Sequence, residues 1–193
     1  MVQLPSELDP ENPDVADHAL LAAVMAPTSG IVQAHAPAPR PQPARKAIKW
    51  ELPGFESKCR VATNFGDLPI EALRRRDKVR TISGAYREVQ WVDRIRLDAD
   101  FLSRHPEALP VMIRAKALGG VHPMTNMLVS PGQTVWVPKV SDGYHPAVAG
   151  ELDGQPNIMR ARRPEVTYYR FHCGSAEKVC VEGAWFCTAP PES

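Results

Sequence analysis

The sequence predicts an all-β domain over residues 53–189, carried behind an N-terminal arm of different character. Three observations carry the prediction. β-Branched and aromatic runs are short, as in Cys59-Arg60-Val61-Ala62-Thr63, Val111-Met112-Ile113 and Val135-Trp136-Val137. Gly, Pro, Asn and Asp punctuate them, as at Asn64-Phe65-Gly66-Asp67 and Ser83-Gly84, which is how strands separated by turns are written. The stretch Tyr86–Leu97 places Val89, Trp91, Val92, Ile95 and Leu97 in an interrupted alternation suited to one long bent strand.

The arm, residues 1–52, comes first. Asn12 is placed to cap a helix with Pro13 at its first position and Asp14 favouring the dipole. Leu20, Leu21, Val24 and Met25 recur at helical spacing, so a short helix is expected over 13–25 and ends at Pro27. Alone in water such a helix is marginal, so its apolar face is expected to seek a partner. Ala36-Pro37-Ala38-Pro39-Arg40-Pro41-Gln42-Pro43 then reads as a polyproline tether within residues 27–49, about 60–70 Å long at about 3.1 Å per residue. Arg40, Arg45, Lys46 and Lys49 make it basic.

In the domain, Pro69 opens a single helical turn through Leu73, and Lys78–Ile82 resumes extended character. Leu102–Pro110 is expected as a connection, Lys139–Ile158 as a Gly/Pro-rich excursion. Val166–Cys173 and Lys178–Glu182 are expected to form a last hairpin around Gly174-Ser175-Ala176-Glu177. Residues 190–193 are left as a tail.

Several separated blocks, in order, resemble the bacterial Hint (hedgehog/intein-type) domains. Pro53–Thr81 resembles the first block of that family, with its strand, Gly turn, "P-[VI]-E-x-L" corner and following strand. Arg114–Gly119 resembles "R-A-x-A-L-G", and Asn126–Val135 resembles "D-L-x-V-S-P-x-H-R-V". Glu165–Tyr169 and Val181–Trp185 resemble the family's closing hairpin. The resemblance implies a Hint-type β fold and a bacterial source. It also names the chemistry to look for: a Cys or Ser side chain attacks the preceding carbonyl, and a His protonates the departing amide nitrogen.

At the positions where the resemblance puts those groups, this sequence carries others. Counting back from Gly66, the nucleophile position falls on Gly54, which has no side chain. The family's Ser/Thr-x-x-His pair falls on Ser130 and Gln133, and an amide is no acid near neutral pH. The His of the closing hairpin falls on Ala176. The expectation is a non-catalytic Hint-fold protein, not an enzyme and without a cofactor. It is expected to bind other protein subunits of a larger assembly, partly through Leu20, Leu21, Val24, Met25 and Trp50.

Two alternatives remain open from the residues. Cys59 could act as a displaced nucleophile on the Lys58–Cys59 bond, although it stands where the family has an ordinary strand Thr. His172, Cys173, Cys180 and Cys187 could form a metal or redox module. Their C-x6-C-x6-C spacing, however, lacks the close Cys pairs of zinc modules, and strand neighbours His172 and Cys173 face opposite ways.

Composition bounds the rest. The 193 residues, 44% of them hydrophobic, suffice for one core and a tail, and the net charge of +1 argues against nucleic acid as a general partner. Arg74-Arg75-Arg76 lies between Glu71 and Asp77, a mixed-charge corner; Arg160-Ala161-Arg162-Arg163 reads as a solvated or protein-contact patch. No apolar run reaches the roughly 18–20 residues of a membrane span. Four dispersed cysteines fit a reducing compartment, so the cytoplasm is expected.

Overall fold

The computed structural model describes residues 49–190. The expected helix over 13–25, the polyproline tether up to residue 48 and the end of the tail lie outside the described residues. The chain divides into two units, 1–43 and 44–193, and the described residues all belong to the second.

The chain enters with β1 (Phe55–Glu56), then runs a hairpin of β2 (Arg60–Thr63) and β3 (Gly66–Pro69). Gly66 turns it at φ +105°, a backbone region open to glycine at little cost. Thr63 Oγ1 locks the turn by donating to Gly66 O at 2.7 Å. A single 3₁₀ turn, Ile70–Ala72, follows with Pro69 before it, and buries Ile70. Next come β4 (Lys78–Arg80) and β5 (Tyr86–Glu88), paired antiparallel.

The expected single strand over Tyr86–Leu97 is in fact two. Between β5 and β6 (Trp91–Leu97) the chain leaves one sheet for the other. The main chain is handed over at this point: Val89 N–H donates to Asp77 O, and Gln90 N–H to His172 O. Val89 is fully buried as the pivot, which is why its apolar character fitted the alternation on either side.

The connection expected over Leu102–Pro110 begins inside a helix, α1 (Ala99–Arg104). Asp98 caps it by accepting from Phe101 N–H at 2.8 Å. The Asp98 signal was present in the sequence, but at six residues the helix is too short to show a periodicity. A 3₁₀ turn over Pro106–Ala108 leads into β7 (Val111–Ile113) and then β8 (Met127–Val129). The long excursion after β9 (Thr134–Pro138) is partly regular: β10 (Tyr144–Val148) folds back on β9, and β11 (Ile158–Arg160) pairs with β7. The chain closes with β12 (Val166–His172), β13 (Glu177–Val181) and β14 (Ala184–Thr188).

One pairing corrects the sequence reading. β12 and β13 do not make a hairpin. β12 lies between β1 and β6, whereas β13 pairs with β14 through the turn at Glu182-Gly183. The Gly174–Ala176 segment is therefore a crossover between sheets. Its Gly and Ser made it resemble a hairpin turn, but the seven paired residues of β12 with β6 claim that strand first.

Among the described residues the strands form two sheets. The first runs β11-β7-β8-β1-β12-β6, and the second β10-β9-β14-β13-β2-β4-β5, with β3 paired beside β2. Their shared core is built on Phe55 of the two-residue β1, whose ring meets Phe186 edge-on at 5.1 Å and Phe171 at 6.2 Å. A smaller cluster gathers Leu97, Leu102, Ala108, Val166 and Tyr168, with Trp50 packed on it. The residue immediately before Phe55 thus sits at the junction of both cores.

Candidate functional site

The site is the junction of the entering strap, residues 49–53, with β1, the 130–133 loop and the ends of β12 and β14. The main fastening of the strap is the fully buried Ser130. Its Oγ accepts from Trp50 Nε1 at 2.9 Å and donates to Leu52 O at 2.5 Å; its N–H donates to Gly54 O at 2.8 Å. Alternate strap residues are thereby held in register, as in a strand. Trp50 meets Phe101 edge-on at 5.9 Å, and Lys49 pairs with Glu151 at 2.9 Å across exposed surface. Trp50, expected on a partner-facing arm, is half-buried against its own domain because its ring completes the smaller cluster.

Two glycines allow this approach. A Cβ on Gly132 would lie 2.3 Å from both the carbonyl carbon and oxygen of Glu51, so only glycine lets the strap cross there. A Cβ on Gly54 would lie 2.8 Å from Tyr168 Cβ and 3.5 Å from Arg170 Cγ. Tyr168 is buried, with its hydroxyl donating to Ala108 O at 2.8 Å, so it has little freedom to yield. Position 54 has no room for a side chain as the strands stand.

Gln133, 1% exposed, reaches the same peptide. Its Oε1 accepts from Gly54 N–H at 3.1 Å, while Nε2 donates to Cys187 O at 2.8 Å and Thr134 O at 3.1 Å. The pattern fixes the amide's orientation: turned over, it would set a donor against a donor and an acceptor against two carbonyls. The side chain ties β1, β9 and β14 together and points a lone pair, not a proton, at the nitrogen of residue 54. Ser130, Gln133 and Gly54 are brought into contact. Ala176 is not: it lies in the exposed 174–176 crossover and lines no part of the cleft beside Gly54.

That cleft encloses about 420 Å³. Phe55, Trp91 and Phe171 give it apolar walls, and Arg170 and Thr188 supply polar groups that the sequence reading missed. A signal for Arg170 existed, since it is the one charged residue of the apolar run Val166–Phe171. Thr188 carried none.

Cys59 is elsewhere. It is 2% exposed and donates its thiol proton to Leu128 O at 3.4 Å, and burial pushes its pKa up to about 12. A thiol so placed is a poor nucleophile near neutral pH, since the thiolate is the reactive form. The shift has a consequence for stability. The folded pKa lies above the ordinary 9, so the unfolded chain gives up this proton first as the pH rises. The contribution is complete below pH 9 and is lost progressively between about 9 and 12. Denaturant midpoints are expected to fall over that window and to fall less in Cys59→Ala; Cys173, pushed up to about 11 by burial, keeps part of the slope. Equal slopes in both proteins would contradict this placement of Cys59.

The C-terminal set is dispersed. His172 stacks on Trp91 at 5.2 Å and its Nδ1 accepts from Gly174 N–H, while buried Cys180 accepts from Arg80 Nη2 at 3.1 Å. Cys173 and Cys187 are half-buried, and burial raises both thiols. Among the described residues no group of three or more His, Cys, Asp or Glu side chains is placed to hold a metal ion. Of the basic clusters, Arg160 is committed inside the fold, donating to Glu107 O and Leu109 O and pairing with Asp153.

Two antiparallel sheets, with a central short strand preceded by a residue, Gly54, that is held by the Ser130–Gln133 loop, have the architecture of the hedgehog/intein structural class. The sequence model of the Hint domain matches residues 53–192, and the chain belongs to that family. Among solved structures it is similar to the MchDnaB-1 intein, at 9% identity and TM-score 0.46 over 70% of this chain and 99% of that one. It is also similar to the gp41-1 intein (13%, TM-score 0.44, 70% and 98%) and to a bacterial intein-like domain from Clostridium thermocellum (13%, TM-score 0.47, 71% and 99%). No curated protein matches the chain. No helix among the described residues is long and apolar enough to cross a membrane.

Proposed function

We propose that this Hint domain has given up cleavage of its own backbone and serves as a protein-binding accessory subunit of a larger assembly. The observation that carries the reading is the peptide of Gly54. It has no side chain to attack with and no room for one, and Gln133 accepts from its N–H where an acid would have to donate. Nucleophile and acid are both needed to exchange an amide for an ester or thioester. A scaffold kept with its polar ties intact, but with these groups replaced, supports a role in binding.

The sequence-predicted docking face, Leu20, Leu21, Val24 and Met25, belongs to residues 1–48, and this proposal gives it to the partner. The residues from Lys49 onward belong to the domain. We place the protein in the bacterial cytoplasm, where four cysteines remain thiols. Self-processing at Cys59 is disfavoured by the burial of its sulfur.

The test is quantitative co-purification from the source cell, comparing the full chain with one beginning at Lys49. One defined protein recovered in fixed stoichiometry by the full chain, and lost on truncation, is the expected result. Equal recovery by both chains would remove the arm from the account.

A further inference from the structure

The cleft beside Gly54 holds three features that its part in the fold leaves unused. Thr188, 5% exposed, sits on the interior face of β14, one residue pair beyond Phe186, and its buried Oγ1 has no hydrogen-bond partner among the described residues. Buried hydroxyls are rarely left so. Among the described residues Arg170 is the only cation lining the cleft, and its side chain is 15% exposed. Its guanidinium lies 5.2 Å over the Trp91 ring, and its one acidic neighbour among the described residues, Asp93, is 3.9 Å away, too long for a hydrogen bond. The third feature is the space itself. Gly54 lets the Arg170 stem pass close above the strand, and the remaining volume of about 420 Å³ is walled by Phe55, Trp91 and Phe171.

A largely buried guanidinium with no hydrogen-bond partner among the described residues, lining the same cleft as an unpaired hydroxyl and aromatic walls, matches a planar anion on an apolar body. The planar fork of arginine suits a carboxylate best. The volume falls in the range of about 300–1,000 Å³ usual for ligand sites and admits about two or three residues of peptide. Glu51, the other charged residue lining the cleft, stands exposed at the strap.

We propose that the cleft binds a carboxylate of a partner's peptide chain, with Arg170 as its counter-ion and Thr188 as a second donor. The inference rests on the binding role proposed above and gives that role a ligand chemistry. A free chain end and an Asp or Glu side chain would supply the same group.

The experiment presents the full chain with three tripeptide libraries. One has free C-termini, one is C-amidated without acidic residues, and one is C-amidated with a single Glu. Retained members are identified by mass and then titrated by calorimetry. Free acids, or the Glu-bearing amides, are expected to bind at least about tenfold more tightly than neutral amides; which of the two does so identifies the source of the carboxylate. Arg170→Gln is expected to remove about tenfold or more in affinity, and Arg170→Lys less. Thr188→Val is expected to remove about threefold to tenfold with an unchanged melting temperature. Should Arg170→Gln melt low, Thr188→Val decides. Retention of no library, equal binding of acid and neutral amide, or affinity indifferent to Thr188→Val and Arg170→Gln would overturn the assignment. A chain that cleaves itself yet retains acids would sink the accessory reading and leave this cleft standing. A chain that stays whole and retains nothing would do the reverse.

Discussion

Gln133→Ala is expected to cost the domain about 3–5 kcal/mol, the largest loss of any single change at the site. The side chain satisfies Gly54 N–H, Cys187 O and Thr134 O, and it is almost wholly buried. Removing it leaves those backbone groups without their partner, at about 1–3 kcal/mol for each one that water cannot reach, and adds a cavity. For a domain of this size the melting temperature should fall by about 10 °C. Gln133→Met separates the two contributions: it fills the volume without the hydrogen bonds, so it should recover the cavity part only. If Gln133→Ala melts within about 2 °C of the parent, the residue is not the tie described here.

Gly132→Ala should release the strap. Its Cβ would be driven to 2.3 Å from main-chain atoms of Glu51, which have no rotamer to escape into. Two outcomes compete. Forcing the methyl in beneath a seated strap, 2.3 Å from main-chain atoms, costs well above the roughly 1–3 kcal/mol of ordinary overpacking. Lifting the strap instead gives up the half-buried Trp50 and its links to Ser130, about 2–3 kcal/mol. At so short a distance lifting is the cheaper path. Amide exchange at residues 50–54 is then expected to rise, and Trp50 to become accessible to quencher, while the β2–β3 hairpin stays protected. Unchanged exchange over 50–54 would show that the strap does not need the glycine.

The sequence disclosed the parts of this molecule that are local. The β2–β3 hairpin was visible because Asn64–Asp67 punctuates a β-branched run, and the 3₁₀ turn because Pro69 announces it. What failed depended on partners distant in the chain. Tyr86–Leu97 alternates as one strand, yet Val89 turns it into another sheet because Asp77 and His172 carbonyls wait there. β12 and β13 looked like neighbours, but β12 has β6 and β1 beside it. Gly54, Ser130 and Gln133 were found through family spacing, and the structure puts them in contact. Arg170 and Thr188 line one cleft only because β12 and β14, from different sheets, end there. Ala176, singled out by the same spacing, lies on the exposed crossover.

The peptide bond before Gly54 is expected to be inert. Intact mass of the full chain is measured after prolonged incubation at neutral pH with dithiothreitol and, separately, with hydroxylamine. Both reagents trap the thioester or ester that a side-chain attack produces. A single unchanged mass in both samples is the predicted result; fragments ending at Pro53 or at Lys58 would contradict it.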